Sequence, residues 1–126
     1  MSYTGITSIS TDHKVWLKSL DFYKDELRGM QKRLGEVATA NTAVEVLQEV
    51  EHFQNQFIVQ RNNIDELKHQ FNRYSHELDN DMLYPVDTSE TTLLEEKKRL
   101  RGKYEDFERV MNGLRHEFNK FLSETL

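Results

Sequence analysis

The feature that most constrains this chain is a stripe of mostly apolar residues within residues 41–81, spaced alternately three and four apart. Residues at this spacing lie on one side of an α-helix. Their persistence over about five heptads indicates a helix that packs lengthwise against other helices. The stripe consists of Ala43, Val46, Val50, Phe53, Phe57, Gln60, Ile64, Leu67, Phe71, Tyr74 and Leu78. It requires helical partners, because alone it would be exposed to water.

Two further segments carry the same spacing. The stripe before the long run consists of Trp16, Leu20, Tyr23, Leu27, Met30, Leu34 and Val37. The stripe after it consists of Leu93, Lys97, Leu100, Tyr104, Phe107, Met111, Leu114, Phe118 and Phe121. The sequence therefore predicts three helices, over residues 11–39, 42–80 and 88–124.

Local signals mark where these helices begin and end. Residues 1–10 are small, rich in hydroxyl groups and interrupted by Gly5, so we expect an extended N-terminal arm. Thr42 followed by Glu45 fits a capping box that opens the second helix. Pro85 prevents that helix from continuing, because proline lacks an amide hydrogen and clashes with the preceding turn.

The short first connection makes the first two helices antiparallel neighbours. The predicted fold class is all-α: an elongated, left-handed, antiparallel three-helix bundle that forms one domain over residues 1–126, with crossing angles of about +20°. At about 1.5 Å per residue, the second helix is on the order of 57 Å long. With Trp16 early in the first helix, this geometry is similar to that of a spectrin repeat. The resemblance is one of architecture and rests on no sequence motif.

Composition narrows the functional classes. The net charge is -5, and residues 43–81 alone contain eight acidic and three basic residues. An acidic chain is poorly suited to neutralising phosphates, which disfavours nucleic acid as a partner. The chain has no cysteine, which excludes disulfides and thiolate metal sites. There is no signal-peptide pattern and no apolar run of about 20 residues, so we expect a cytoplasmic protein without a membrane span.

The histidines do not predict a metal site or a catalytic site. Glu49 with His52, and Glu66 with His69, have the Glu-x-x-His spacing of di-iron bundles, but the heptad register places all four outside the helix seam. No catalytic triad, nucleophile elbow or phosphate-binding loop is recognisable. We therefore expect a protein that is not an enzyme and needs no metal or cofactor.

Gln60 is the one polar residue in the middle of the second stripe. Counting from the two turns places Tyr23 and Met111 at its level, and the sequence predicts a buried Gln60–Tyr23 hydrogen bond that fixes the register of the helices. Replacing Gln60 with leucine should then raise the melting temperature. The alternative is a small-molecule or metal-binding pocket at this level, lined by these three residues.

The only basic cluster consists of Lys97, Lys98, Arg99, Arg101 and Lys103. Nearby acidic residues can pair with these cations on a solvated helix face. The functional alternative is an adaptor that binds RNA or an acidic partner through this cluster.

Apolar residues outside the stripes suggest a docking surface. Val15 and Phe22 lie seven residues apart on the first helix, and Ile58 and Val59 lie on the second at a similar predicted level. We expect them to form one strip on the outer side of the helix 1–helix 2 hairpin. Our interpretation is a non-enzymatic bundle that acts through protein–protein contact, with a second copy of itself or another protein as the partner.

The predicted helices differ in length, which leaves one end of the bundle open. The second helix extends beyond the predicted start of the first, so Phe71, Tyr74 and Leu78 would lack a neighbour on one side. We expect the N-terminal arm, with Tyr3, Ile6 and Ile9, to cover them.

Overall fold

Three helices account for all secondary structure in the part of the chain that the structure describes. The computed structural model describes the backbone of residues 2–83 and 90–125, and the side chains of residues 13–76 and 92–125. The helices are α1 (Ser2–Ala40), α2 (Val44–Leu83) and α3 (Glu90–Thr125). The predicted all-α three-helix bundle is confirmed. Its left-handed twist stays a prediction.

The start of α1 corrects the predicted boundary. Residues 2–10 are helical, so the helix begins nine residues before the predicted residue 11, and these residues do not form the predicted extended arm. Ile6 and Ile9 continue the three–four spacing upstream of His13, which extends the helical stripe. Gly5 does not prevent this, because one glycine inside a helix costs only about 1 kcal/mol relative to alanine.

One apolar core runs between the helices and consists of the predicted stripes. Its fully buried side chains include Leu20, Leu27, Phe57, Ile64, Phe71, Leu100, Met111 and Phe118. Aromatic rings gather at both ends: Trp16, Phe71 and Tyr104 at one, and Phe53, Phe57, Phe118 and Phe121 at the other. Burying these rings removes a large apolar area from water and so favours folding.

Ion pairs fix the antiparallel register of α1 and α2. The Lys68 amine lies 2.6 Å from Asp21, and the Lys24 amine lies 2.9 Å from Asp65. As the α1 residue number rises, the number of its α2 partner falls, so the two helices run in opposite directions. They form the most closely packed pair in the bundle.

α3 runs parallel to α1 and antiparallel to α2. Trp16 stacks on Tyr104 with ring centroids 5.9 Å apart, and further along both helices Tyr23 meets the edge of Phe107 at 5.5 Å. α1 and α3 are the least closely packed pair, so large aromatic and polar side chains bridge them. The start of α1 and the end of α3 therefore lie at opposite ends of the bundle.

Phe71, which the sequence left without a neighbour on one side, is covered by residues that already belong to the predicted first helix. Phe71 is fully buried, and its ring contacts His13 and Trp16 of α1. Tyr74 is 1% exposed, and its hydroxyl donates a hydrogen bond to the Leu93 carbonyl at 3.1 Å. The side chains of Leu78, Tyr3, Ile6 and Ile9 lie outside the described residues.

The connection between α1 and α2 is three residues long. The Asn41 side-chain amide donates to the Val37 carbonyl at 2.9 Å, which satisfies an acceptor at the end of α1. The Ala43 carbonyl accepts from the Leu47 amide at 3.1 Å. Ala43 therefore occupies the N-cap of α2, one residue after the predicted Thr42.

Candidate interaction surface

All four residues of the predicted docking surface are exposed. Phe22 is 63% exposed and Val15 56%, while Ile58 and Val59 are 44% and 48% exposed. Aliphatic and aromatic side chains of this size are usually buried much more fully. Their role in binding stays a prediction.

The structure does not bring these four residues into one strip. The Phe22 ring meets the edge of Tyr23 at 5.8 Å, and Tyr23 in turn reaches α3. α1 faces α2 through other side chains, Asp21 and Lys24. Phe22 therefore lies on the side of α1 that is turned away from α2.

The two pairs are also displaced along the bundle axis. Trp16 packs on Phe71 with centroids 5.3 Å apart, so Phe22, six residues later, lies level with about residue 65 of α2. Ile58 is about seven residues further along, which corresponds to about 10 Å. These four residues thus form two separate patches: the Phe22 patch (Val15 and Phe22) and the Val59 patch (Ile58 and Val59).

The Val59 patch lies near the end of an uncharged run of α2, residues 53–60, which Arg61 closes. Asn55 and Asn62, one turn before and after it, are exposed. Arg61 is exposed one turn after Ile58, and Glu51 and Glu66 lie seven residues before Ile58 and seven after Val59. An apolar centre with a polar rim is the usual layout of a protein interface.

Gln60 and Tyr23 do not form the predicted register bond. Gln60 is buried at 3% exposure, as predicted, but its Oε1 accepts from Asn63 Nδ2 at 3.3 Å. The single Tyr23 hydroxyl proton is donated to Glu108 Oε2 at 2.7 Å. Tyr23 lies between α1 and α3, whereas Gln60 lines the opposite groove between α2 and α3.

A polar network between α1 and α3 replaces the predicted bond. Arg115 donates to Glu26 Oε1 from Nη2 at 2.6 Å and from Nε at 2.9 Å, close to the Tyr23–Glu108 bond. Burial, and then the bond to Glu108, raises the pKa of Tyr23. Glu26, Glu108 and Arg115 occupy positions that flank the heptad stripe, where interhelical ion pairs are common. That spacing was the signal that could have identified them in the sequence.

The predicted pocket at mid-bundle takes a different form. An open groove of about 340 Å³ lies between α2 and α3. It is lined by Gln60, Asn63, Glu66, Leu67, Gln70, Lys103, Asp106, Phe107 and Val110. Tyr23 is not among these residues, and Met111 is fully buried in the core. Of the three residues predicted to form a ligand site, only Gln60 reaches the groove.

The basic cluster has partners within the molecule. Arg99 donates to Glu96, whose pKa this pairing lowers, and Lys103 donates to Gln70 Oε1 at 3.1 Å. The Arg101 guanidinium lies over the Trp16 ring, 6.0 Å from its centroid. These contacts support a solvated, internally paired helix face more than a site for RNA.

The Glu-x-x-His pairs lie outside the core, as the heptad register predicted. Glu49, His52, Glu66 and His69 are all exposed. In the part of the chain with described side chains, no group of three or more histidines and acids is arranged to hold a metal ion. Among the described helices, none is long and apolar enough to cross a membrane.

Fold and surface together define an all-α three-helix bundle with two exposed apolar patches. No family model matches this chain, and no curated protein or solved structure matches it either.

Proposed function

We propose that this protein is a non-enzymatic helical bundle that acts through protein–protein contact in the cytoplasm. Its partner is a second copy of itself or another protein. The observation that carries the proposal is the exposure of large apolar side chains at mid-helix. Phe22 is 63% exposed on α1, and Ile58 and Val59, which are neighbours on α2, are nearly half exposed. Exposed apolar clusters within polar surroundings are typical of docking sites.

The chemistry of the two patches supports this proposal. Aromatic residues such as Phe22 are enriched in interfaces. The Val59 patch has amide neighbours, Asn55 and Asn62, which can form hydrogen bonds without the desolvation cost of a charge.

Quantitative affinity capture tests the proposal. Immobilised wild type, Phe22→Glu and Ile58→Glu are exposed to a cell lysate that also contains the untagged protein. Asn119→Glu is the matched control, since it adds the same charge at an exposed position of α3. We expect at least one glutamate at an apolar position to reduce a retained protein about tenfold or more, while the control retains it. Equal retention by all four baits would contradict the proposal.

The groove between α2 and α3 supports a second candidate, the binding of a small polar molecule. Its volume of about 340 Å³ is near the lower end for ligand sites, and the amides of Gln60, Asn63 and Gln70 could orient a ligand. A fragment screen by NMR tests this. Chemical-shift changes should cluster at these residues and disappear in a Gln70→Leu variant. Shifts spread over the whole surface would exclude a site in the groove.

A further inference from the structure

The outer face of α2 carries a line of residues in which complementary side chains lie at equal distances on either side of the centre. Glu45, His52, Val59, Glu66 and Arg73 follow one another at seven-residue intervals, and all five are exposed. Residues seven apart lie nearly on one line along a helix. Taken in reverse order, the line pairs Glu45 with Arg73 and His52 with Glu66, and Val59 stays at the centre. The line is therefore complementary to its own reverse.

We propose that α2 of one copy pairs antiparallel with α2 of a second copy, across a twofold axis at Val59. In such a symmetric interface the same surface of both copies is used. Val59 then meets the second copy's Val59, and the Glu45–Arg73 and His52–Glu66 pairs each form twice. This inference rests on the proposed function and adds to it the identity of the partner and the register of the contact.

The lines on either side of this central line agree with the same register. On one side, Asn55 lies opposite Asn62, and Gln48 opposite His69. On the other side, Gln56 lies opposite Asn63, and Glu49 opposite Gln70, although this line borders the groove to α3, where Gln70 accepts from Lys103. The side chains of all eight are exposed or half-exposed. No like charges face each other, and amide side chains can donate and accept hydrogen bonds across the interface.

Neighbouring registers are less favourable. A shift of one heptad in one direction places Glu45 opposite Glu66, which is a repulsive pair. A shift in the other direction places Val59 opposite Glu66 and His52 opposite Arg73, so an apolar contact is lost. Charge complementarity of this kind selects one alignment more than it adds affinity.

The contact is limited in size. The line from Glu45 to Arg73 extends over about 42 Å of helix, and only Ile58 and Val59 contribute apolar area at its centre. We therefore expect a weak dimer, with a dissociation constant on the order of 10–100 µM.

Charge reversal followed by sedimentation equilibrium tests the pairing. Glu45→Lys or Arg73→Glu alone creates two like-charged pairs per dimer and should weaken association about tenfold. The double variant restores both pairs with reversed sign, and its dissociation constant should return to within about threefold of wild type. Glu36→Lys and Lys14→Glu are matched controls at exposed positions of α1 and should change nothing. Arg73 also lies near Glu96, so thermal melts at low concentration check that each monomer is folded.

Cysteine crosslinking tests the direction of the pairing. The chain has no cysteine, so a single introduced thiol reports only its own position. With a short bis-maleimide reagent, Val59→Cys should link to itself. Gln48→Cys and His69→Cys should link only when the two variants are mixed. A parallel pairing would instead link Gln48→Cys to itself.

The outcomes separate this inference from the proposed function. If wild type associates but the double charge reversal is as weak as the single ones, the α2 pairing is wrong and contact through another surface remains. If wild type stays monomeric at millimolar concentration and Val59→Cys does not link, the pairing is also wrong. The capture experiment with Phe22→Glu and Ile58→Glu then decides the proposed function independently.

Discussion

Gln60 is a buried amide with one long hydrogen bond. It is 3% exposed, and its described bond is with Asn63 at 3.3 Å. Leucine has a similar volume and no polar atoms to desolvate, so we expect Gln60→Leu to stabilise the bundle by about 1 kcal/mol. This corresponds to a rise in melting temperature of roughly 3 °C.

Thermal unfolding followed by circular dichroism checks this expectation. Gln56→Leu, one turn earlier and half-exposed, is the control and should change the melting temperature little. A lower melting temperature for Gln60→Leu would mean that the amide makes a net favourable contribution.

The Tyr23–Glu108 bond predicts a specific response to alkaline pH. Burial and the bond to Glu108 raise the pKa of Tyr23 above its value of about 10 in the unfolded chain. The bond therefore contributes fully to the free energy of unfolding below pH 10. This contribution is lost as pH rises through the pKa of Tyr23 in the folded state. We expect Tyr23→Phe to be about 1 kcal/mol less stable than wild type at pH 7, with a smaller difference at pH 11.

Urea unfolding at both pH values measures these stabilities. Glu108→Gln offers a second readout, because it keeps a hydrogen-bond acceptor but removes the charge. In that variant the absorbance change of Tyr23 ionisation should move to lower pH than in wild type. A stability difference between Tyr23→Phe and wild type that is the same at pH 7 and pH 11 would refute this account.

At the scale of the helices, the N-terminus of α2 has a suboptimal cap. Ala43 occupies the N-cap, where a serine hydroxyl could accept a hydrogen bond from an unpaired amide of the first turn. We expect Ala43→Ser to stabilise the protein by about 1 kcal/mol and Thr42→Ala to have little effect. Chemical denaturation measures both. The reverse result would place the cap at Thr42, as the sequence predicted.

Glycines inside the helices lower the stability of the protein, and close packing does not require them there. A Cβ added at Gly29 or Gly102 would meet no other atom within 4 Å. Alanine should therefore stabilise the protein by about 1 kcal/mol at each position, because it restricts the unfolded chain and favours the helix. Because the two glycines lie on different helices, the effects in the double variant should add. A loss of stability in either single variant would show that close approach of another chain or backbone strain had been overlooked.

The helices themselves could be predicted well from spacing alone. The three–four stripes identified the core and the two connections, because burial of a continuous apolar stripe dominates helix packing. The start of α1 was missed because small and hydroxyl-bearing residues suggested a break, although Ile6 and Ile9 continued the stripe. At the start of α1, the spacing of apolar residues was therefore a better guide to the helix than the low helix propensity of single residues.

At the scale of the whole molecule, surfaces were harder to predict than the core. The sequence identified Phe22 and Ile58 as exposed, but whether they share a face depends on the rotation and register of packed helices. Those depend on interhelical contacts such as Lys24–Asp65 and Tyr23–Glu108, and heptad spacing marks such residues as candidates without specifying which of them pair. The prediction of a Gln60–Tyr23 hydrogen bond was wrong for the same reason.

Molecular dimensions distinguish the proposed dimer from other assemblies. α2 contains 40 residues, so the monomer is a rod about 60 Å long. Val59 lies about four residues from the middle of α2, so antiparallel pairing there should lengthen the particle by only about 14 Å. Small-angle X-ray scattering over a concentration series should show a thicker rod of similar length. A particle of nearly double length would indicate end-to-end association.

The placement of the chain ends has a mechanical consequence. Because α1 and α3 run parallel, the start of α1 and the end of α3 lie at opposite ends of the rod. Tension between them acts along the helix axes, so it shears the interfaces over their whole length instead of peeling them apart one contact at a time. Axial tension should therefore have to disrupt many interhelical contacts at once.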